Sequence, residues 1–145
     1  MGQQQLLLIV LGVIIVGIAI AVGVTTFRSN AVDANRTQVI ADLNNLAAKA
    51  QRYYRTPKAM GGGGQNFKGF ALSPLDTGNA NGSYSLSTSK PSGASYVAGS
   101  TAAISGNAQT IYIVGSGTET GDDGSNKVKA FVKVTPDSIV ATKLN

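Results

Sequence analysis

The chain has no cysteine, no histidine and no tryptophan among its 145 residues. Without cysteine there is no disulfide staple, no thiol nucleophile and no thiolate metal site; without histidine, imidazole ligands and the usual general base at neutral pH are gone as well. Redox compartment is left open, because a cysteine-free chain is at ease anywhere. Charge is sparse too, at 13% of residues, and the twelve Lys and Arg against seven Asp and Glu leave a net +5. That excess favours anionic surfaces weakly and names no partner. Proline is absent before Pro57. Nine aromatic residues are scattered along the chain, too thinly to suggest anything but packing.

What the chain does have is concentrated at its start. Residues 6–24 read LLLIVLGVIIVGIAIAVGV, nineteen uncharged apolar residues preceded by Met-Gly-Gln-Gln-Gln. As a helix they would extend roughly 28 Å, close to the ~30 Å hydrocarbon thickness of a bilayer. A cleaved secretory signal is not expected, since no Lys or Arg precedes the apolar run. A plain lipid anchor fits the length but not Gly12, Gly17 and Gly23, each of which costs about 1 kcal/mol relative to Ala in a helix interior. Close helix–helix approach gives those glycines a use, and spacings of five and six residues suit contacts on several sides rather than one dimer face.

From Arg28 the pattern becomes amphipathic. Val32, Val39, Leu43, Leu46, Ala50 and Tyr53 fall at spacings of 7, 4, 3, 4 and 3, one helical stripe. Pro57 and the glycines 61–64 predict the end of the helix near residue 56, the glycines reading as a flexible connector. A helix over 3–56 would be roughly 80 Å long, too long for a domain this size to cover. Strands are expected at 83–87, 95–98, 109–114, 127–135 and 138–144. In the fourth, Val128, Ala130, Val132 and Val134 alternate with Lys127, Lys129, Phe131 and Lys133, predicting one core face and one wet face. The expected fold is therefore α+β: a long N-terminal helix, apolar in its first half and amphipathic in its second, packed on a small antiparallel sheet, with divisions at 1–27, 28–57 and 58–145.

The first 56 or so residues resemble type IV pilins and their relatives. Those proteins begin, once a leader is removed, with an apolar helix of this length, first a membrane anchor and then a filament core. With Met1 placed at the mature first position, Gln5 falls where the family usually has glutamate. An amide there cannot form an ion pair with a neighbour's N-terminal amine, although it can accept a hydrogen bond from it. Gln3, Gln4 and Gln5 can instead satisfy helix N-terminal N–H groups. Three readings of the start stay open: a processed chain, a short leader cut after Gly2, or export without cleavage. Bacterial members usually carry a proline near position 22, where this chain has Val22, a feature nearer to archaeal pilins and flagellins. The resemblance implies a filament subunit whose partners are copies of itself, the membrane before assembly, an assembly machinery and a prepilin peptidase. Met1, Gln3, Gln4, Gln5, Gly12, Gly17 and Gly23 would then govern core packing.

Nothing points to catalysis or to a cofactor: no phosphate loop, no dinucleotide motif and no nucleophile–base pair is present. Three weaker features remain. Glu119, Asp122, Asp123 and Asn126 make the best calcium candidate, although the spacing matches no defined motif and a solvated hairpin tip is favoured. Lys49, Arg52, Tyr53, Tyr54, Arg55 and Lys58 form a basic and aromatic cluster able to touch nucleic acid weakly; packing of the tyrosines with the charges left wet is favoured there. Asn35-Arg-Thr and Asn81-Gly-Ser match glycosylation sequons, Asn81 reading as the more accessible.

Overall fold

The computed structural model describes residues 2–92 and 102–145. One helix, α1, runs without interruption over Gly2–Arg55. Its last turn carries Arg52 and Arg55 and no acid lies in its first, so only the C-terminal end of the helix dipole is complemented by charge. The glycine run ends it actively. Gly61 takes a left-handed conformation (φ 81°). The N–H groups of Gly63, Gly64 and Gln65 then donate to the carbonyls of Tyr53, Thr56 and Tyr54 at 2.9, 3.0 and 2.8 Å. A Cβ on Gly63 would stand 1.8 Å from the Asn66 carbonyl oxygen. The expected flexible connector is instead a fitted helix cap, which satisfies carbonyls the last turn leaves open.

Five strands follow: β1 (Gly78–Asn79), β2 (Gly82–Ser87), β3 (Ile111–Thr120), β4 (Lys127–Val134) and β5 (Ile139–Lys143). They form an antiparallel meander in sequence order, β1-β2-β3-β4-β5. Ile113 lies opposite Leu86 on one side and Val132 on the other, so the three central strands bring their apolar residues into one row. Four of the expected strands correspond to β2, β3, β4 and β5; the one at 95–98 lies outside the described residues. The two-residue β1 carries no strand pattern of its own and is held by β2.

Packing follows the helical stripe. Val39, Leu43, Leu46, Ala47 and Ala50 are buried against Tyr84, Ile111, Ile113, Ala130, Val132 and Val134 of the sheet. Phe67, Phe70, Leu72 and Ile104 close the core from the loop side. This is the expected α+β arrangement of a long helix on a small antiparallel sheet.

The far side of the sheet departs from expectation. Ser85, Val114, Lys129 and Phe131, on the face turned from α1, are all buried, at 1, 0, 7 and 3% exposure. Phe131 meets Tyr112 edge-on at 5.9 Å between ring centroids. The alternation in β4 was right as geometry, but at the sheet centre both faces are covered and only Lys127 and Lys133 of that strand are exposed.

Candidate functional site

The helix divides sharply. From Leu6 to Phe27 every large apolar side chain is more than half exposed, and the 18-residue apolar window has no buried residue. By length and composition this part of α1 can cross a membrane. An added Cβ at Gly12, Gly17 or Gly23 would meet nothing within 4 Å. No contact within the described chain therefore requires glycine at these positions. At 100° per residue, Gly12 and Gly23 point within about 20° of each other and Gly17 points away from both. Gln3, Gln4 and Gln5 are exposed, and Met1 lies outside the described residues.

Where the rod enters the head, polar side chains do the joining. Asn35 sits on α1 facing β3. Its Nδ2 donates to the Asn81 carbonyl at 3.0 Å and to Thr118 Oγ1 at 3.3 Å, while its Oδ1 accepts from the Thr118 and Glu119 N–H groups at 3.2 and 3.4 Å. Gly117 makes room for it: a Cβ there would lie 2.1 Å from Asn35 Oδ1. The next residue along the helix, Arg36, reaches Asp33 at 2.6 Å, Asp122 at 3.0 Å and the Asn145 main-chain oxygen at 3.2 Å. The Asn145 side chain continues the tie, donating to the Lys127 carbonyl and accepting from the Lys129 N–H.

Midway along the docked half, Asp42 gathers the β1–β2 turn. Its Oδ2 accepts from Asn79 Nδ2 at 2.9 Å, Asn81 Nδ2 at 3.0 Å and Tyr84 Oη at 2.7 Å. Partial burial alone would raise the Asp42 pKa. The hydrogen bonds from Tyr84, Asn79, Asn81 and Gln38 outweigh it and hold the carboxyl below its usual range. The Tyr84 hydroxyl is pushed up, by burial first and by donation to Asp42 second. Sequence reasoning did not single out Asp42. The signal it missed is the cluster of short polar residues at 79–83, which needs an acceptor on the facing helix.

The calcium candidate is occupied by its own neighbours. Asp122 pairs with Lys143 at 2.5 Å and with Arg36, and these two cations lower its pKa, Lys143 foremost. Asp123 folds the hairpin tip. It accepts from Asn126 Nδ2 at 2.8 Å and from the N–H groups of Asn126 and Ser125 at 2.9 and 3.1 Å, which bring its pKa to about 2. Among the described residues no group of three or more carboxylates comes together to hold a metal.

In the basic and aromatic cluster the rings turn inward. Tyr53 packs on Phe70 and donates to the Lys68 carbonyl; Tyr54 packs on Phe67 and donates to Gln109 Oε1. The charges stay exposed, and Lys49 pairs with Asp76 at 2.6 Å. Both sequon asparagines are half-buried, and the Nδ2 atoms that would carry sugar donate to Asn81 and Thr118 (Asn35) and to Asp42 (Asn81). Glycosylation at either would have to break the joint between helix and sheet.

No protein-family model, no curated protein and no solved structure shows significant similarity to this chain.

Proposed function

We propose that this chain is the major structural subunit of a type IV pilus-like extracellular filament, polymerising through residues 6–24. One observation carries the reading: a long glycine-bearing apolar helix stands clear of its own head, with no contact among the described residues to explain either the apolar surface or the glycines. A bilayer accounts for the first. Neighbouring helices account for both. Transfer from lipid into a helix bundle gains nothing from the hydrophobic effect, since lipid tails are as apolar as leucine; close backbone packing supplies the attraction instead. Gly12, Gly17 and Gly23 are the places where backbones can approach, and Gln3, Gln4 and Gln5 supply uncharged hydrogen-bonding groups at the inner end. The subunit resides in the cytoplasmic membrane before assembly and on the cell surface afterwards. It is no enzyme in this reading and uses no cofactor.

The test is to shear cells that make the protein, pellet the extracellular material, and examine it by electron microscopy and mass spectrometry. Thin fibres dominated by this protein with residues 6–24 retained are the expected result. Short fibres seen only on overproduction would replace the reading with a secretion pseudopilin. Protein confined to the membrane fraction without fibres would replace it with a monomeric anchored binding module.

A further inference from the structure

The net charge of the protein is not spread over the head. At the end farthest from the apolar rod stand Arg52, Arg55 and Lys58 at the close of α1, Lys68 in the loop beside Tyr53, Lys90 just past β2, and Lys133 at the end of β4. All six are exposed, and besides Asp76, which pairs with Lys49 and lines a cleft with Arg52, the one acid described at this pole is Asp137 in the turn after β4. The other six cations of the chain are matched by the other six acids, and residues 93–101 carry no charge. The whole excess of +5 therefore sits at one pole. Among the described residues, Arg52, Lys58, Lys68, Lys90 and Lys133 make no side-chain ion pair, and Arg55 makes only a 3.3 Å bond to the Pro136 carbonyl. The helix dipole accounts for cations in the last turn of α1, but it reaches no further and leaves Lys68, Lys90 and Lys133 unexplained.

The pole is furrowed. Arg52 and Arg55 line a groove of about 460 Å³ with Gln51, Thr56, Pro57 and Met60. Lys58 and Lys68 line a second, of about 330 Å³, against Gly62, Gly63 and Asn107. We propose that this basic pole is a docking surface for an acidic polysaccharide, a flexible sugar polymer bearing carboxylate or sulfate groups.

Three observations select that partner. The pole lies roughly 45 Å along α1 from Val24, several Debye lengths (about 8–10 Å each) from a bilayer holding the rod, so it does not serve the membrane of its own subunit. A second copy offers no complement, because the rest of the head is electrically balanced. The tyrosines at this end have their rings packed on Phe67, Phe70 and Phe131. Among the described residues no unpacked aromatic ring stands at this pole to stack the bases of a single strand. A thin chain held by charge alone fits what remains.

The experiment uses the full chain in nonionic detergent, with binding measured to heparin, to polygalacturonate, and to a single-stranded and a double-stranded oligonucleotide. Two variants remove the same charge at opposite ends: R52Q/K58Q at the basic pole and R28Q/K127Q near the rod. All four residues are exposed and none lies in the core, and a melting curve for each variant confirms equal folding. The expected result is binding to both polysaccharides that weakens with salt, an R52Q/K58Q affinity lower by about tenfold or more, and less than a twofold change for R28Q/K127Q. Equal losses in the two variants would overturn the proposal, as would no polysaccharide binding at low salt. Tighter binding of either oligonucleotide would overturn it in favour of nucleic acid. None of these outcomes depends on whether the chain forms filaments.

Discussion

The two halves of α1 are built from the same backbone and share one axis, yet they live under opposite rules. Between residues 6 and 24 nearly every side chain is apolar and exposed; between 32 and 53 apolar side chains recur at helical spacing and are covered by the sheet. The first half has no stripe because no single direction is to be covered, whereas the second has one because a single sheet lies on one side. Glycine separates them as well. In the rod it meets nothing, while in the head Gly117 and Gly63 stand where a Cβ would collide. An apolar helix without a stripe demands surroundings on all sides. A helix with one demands a single partner, which this chain carries within itself.

The strongest way to break that contrast is to fill a rod glycine. Gly17→Leu should abolish sheared fibres while leaving the protein in the carbonate-resistant membrane fraction; normal fibre yield from this variant would sink the close-packing claim. Next in size is a matched pair of truncations, followed by thermal unfolding of the full chain in detergent. Leu43→Ala empties a fully buried site and should destabilise the head by about 2–5 kcal/mol. Leu8→Ala, 68% exposed in the rod, should change head stability by less than about 0.5 kcal/mol. Similar losses from both would mean that the rod packs on the head.

Smaller effects belong to the seam between the halves. Asn35→Ala removes the acceptor for two N–H groups of β3 and the donor to the Asn81 carbonyl, and should cost about 1–3 kcal/mol. Its signature would be faster amide exchange at Thr118 and Glu119 with little change in β4. The smallest expected effect is on pH dependence. Asp42, Asp122 and Asp123 all have folded pKa values below their unfolded ones, so the stability they contribute is complete above about pH 4. It is lost as pH falls through their folded values, which for Asp123 means toward pH 2. Asp42→Asn should therefore show a smaller fall in Tm between pH 5 and pH 2.5 than the unaltered protein. An equal fall would remove Asp42 from the acid response.

Much of this was legible in advance, for identifiable reasons. The stripe from Val32 to Tyr53 named the docking face because a helix repeats every 3.6 residues whatever it packs against; Ala47 escaped notice only because alanine is a weak hydrophobic signal. Four strands were legible from β-branched runs and turn residues. The burial of Phe131 and Lys129 was not, because alternation says which residues share a face but not whether that face is covered. The glycines 61–64 were misread as slack because the pattern gives no sign of the Tyr53 and Thr56 carbonyls that Gly63 and Gly64 cap. Asp42, Arg36 and Asn145 escaped for a related reason: their partners are distant in sequence, and polar contacts have no period.

Sequence alone determined that there would be a rod, where it would start to dock, and that the head would be a small sheet, since these follow from local periodicity and from the count of apolar residues. It also determined the absence of thiol and imidazole chemistry. Only the tertiary structure decided which carboxylates would be occupied, Asp122 by Lys143 and Arg36 and Asp42 by Tyr84 and two asparagines. Only it decided that Lys68, Lys90 and Lys133 would join Arg52, Arg55 and Lys58 at one pole. The reason is the same in both cases: backbone periodicity is written into neighbouring residues, whereas charge meets charge only after the sheet has folded onto the helix.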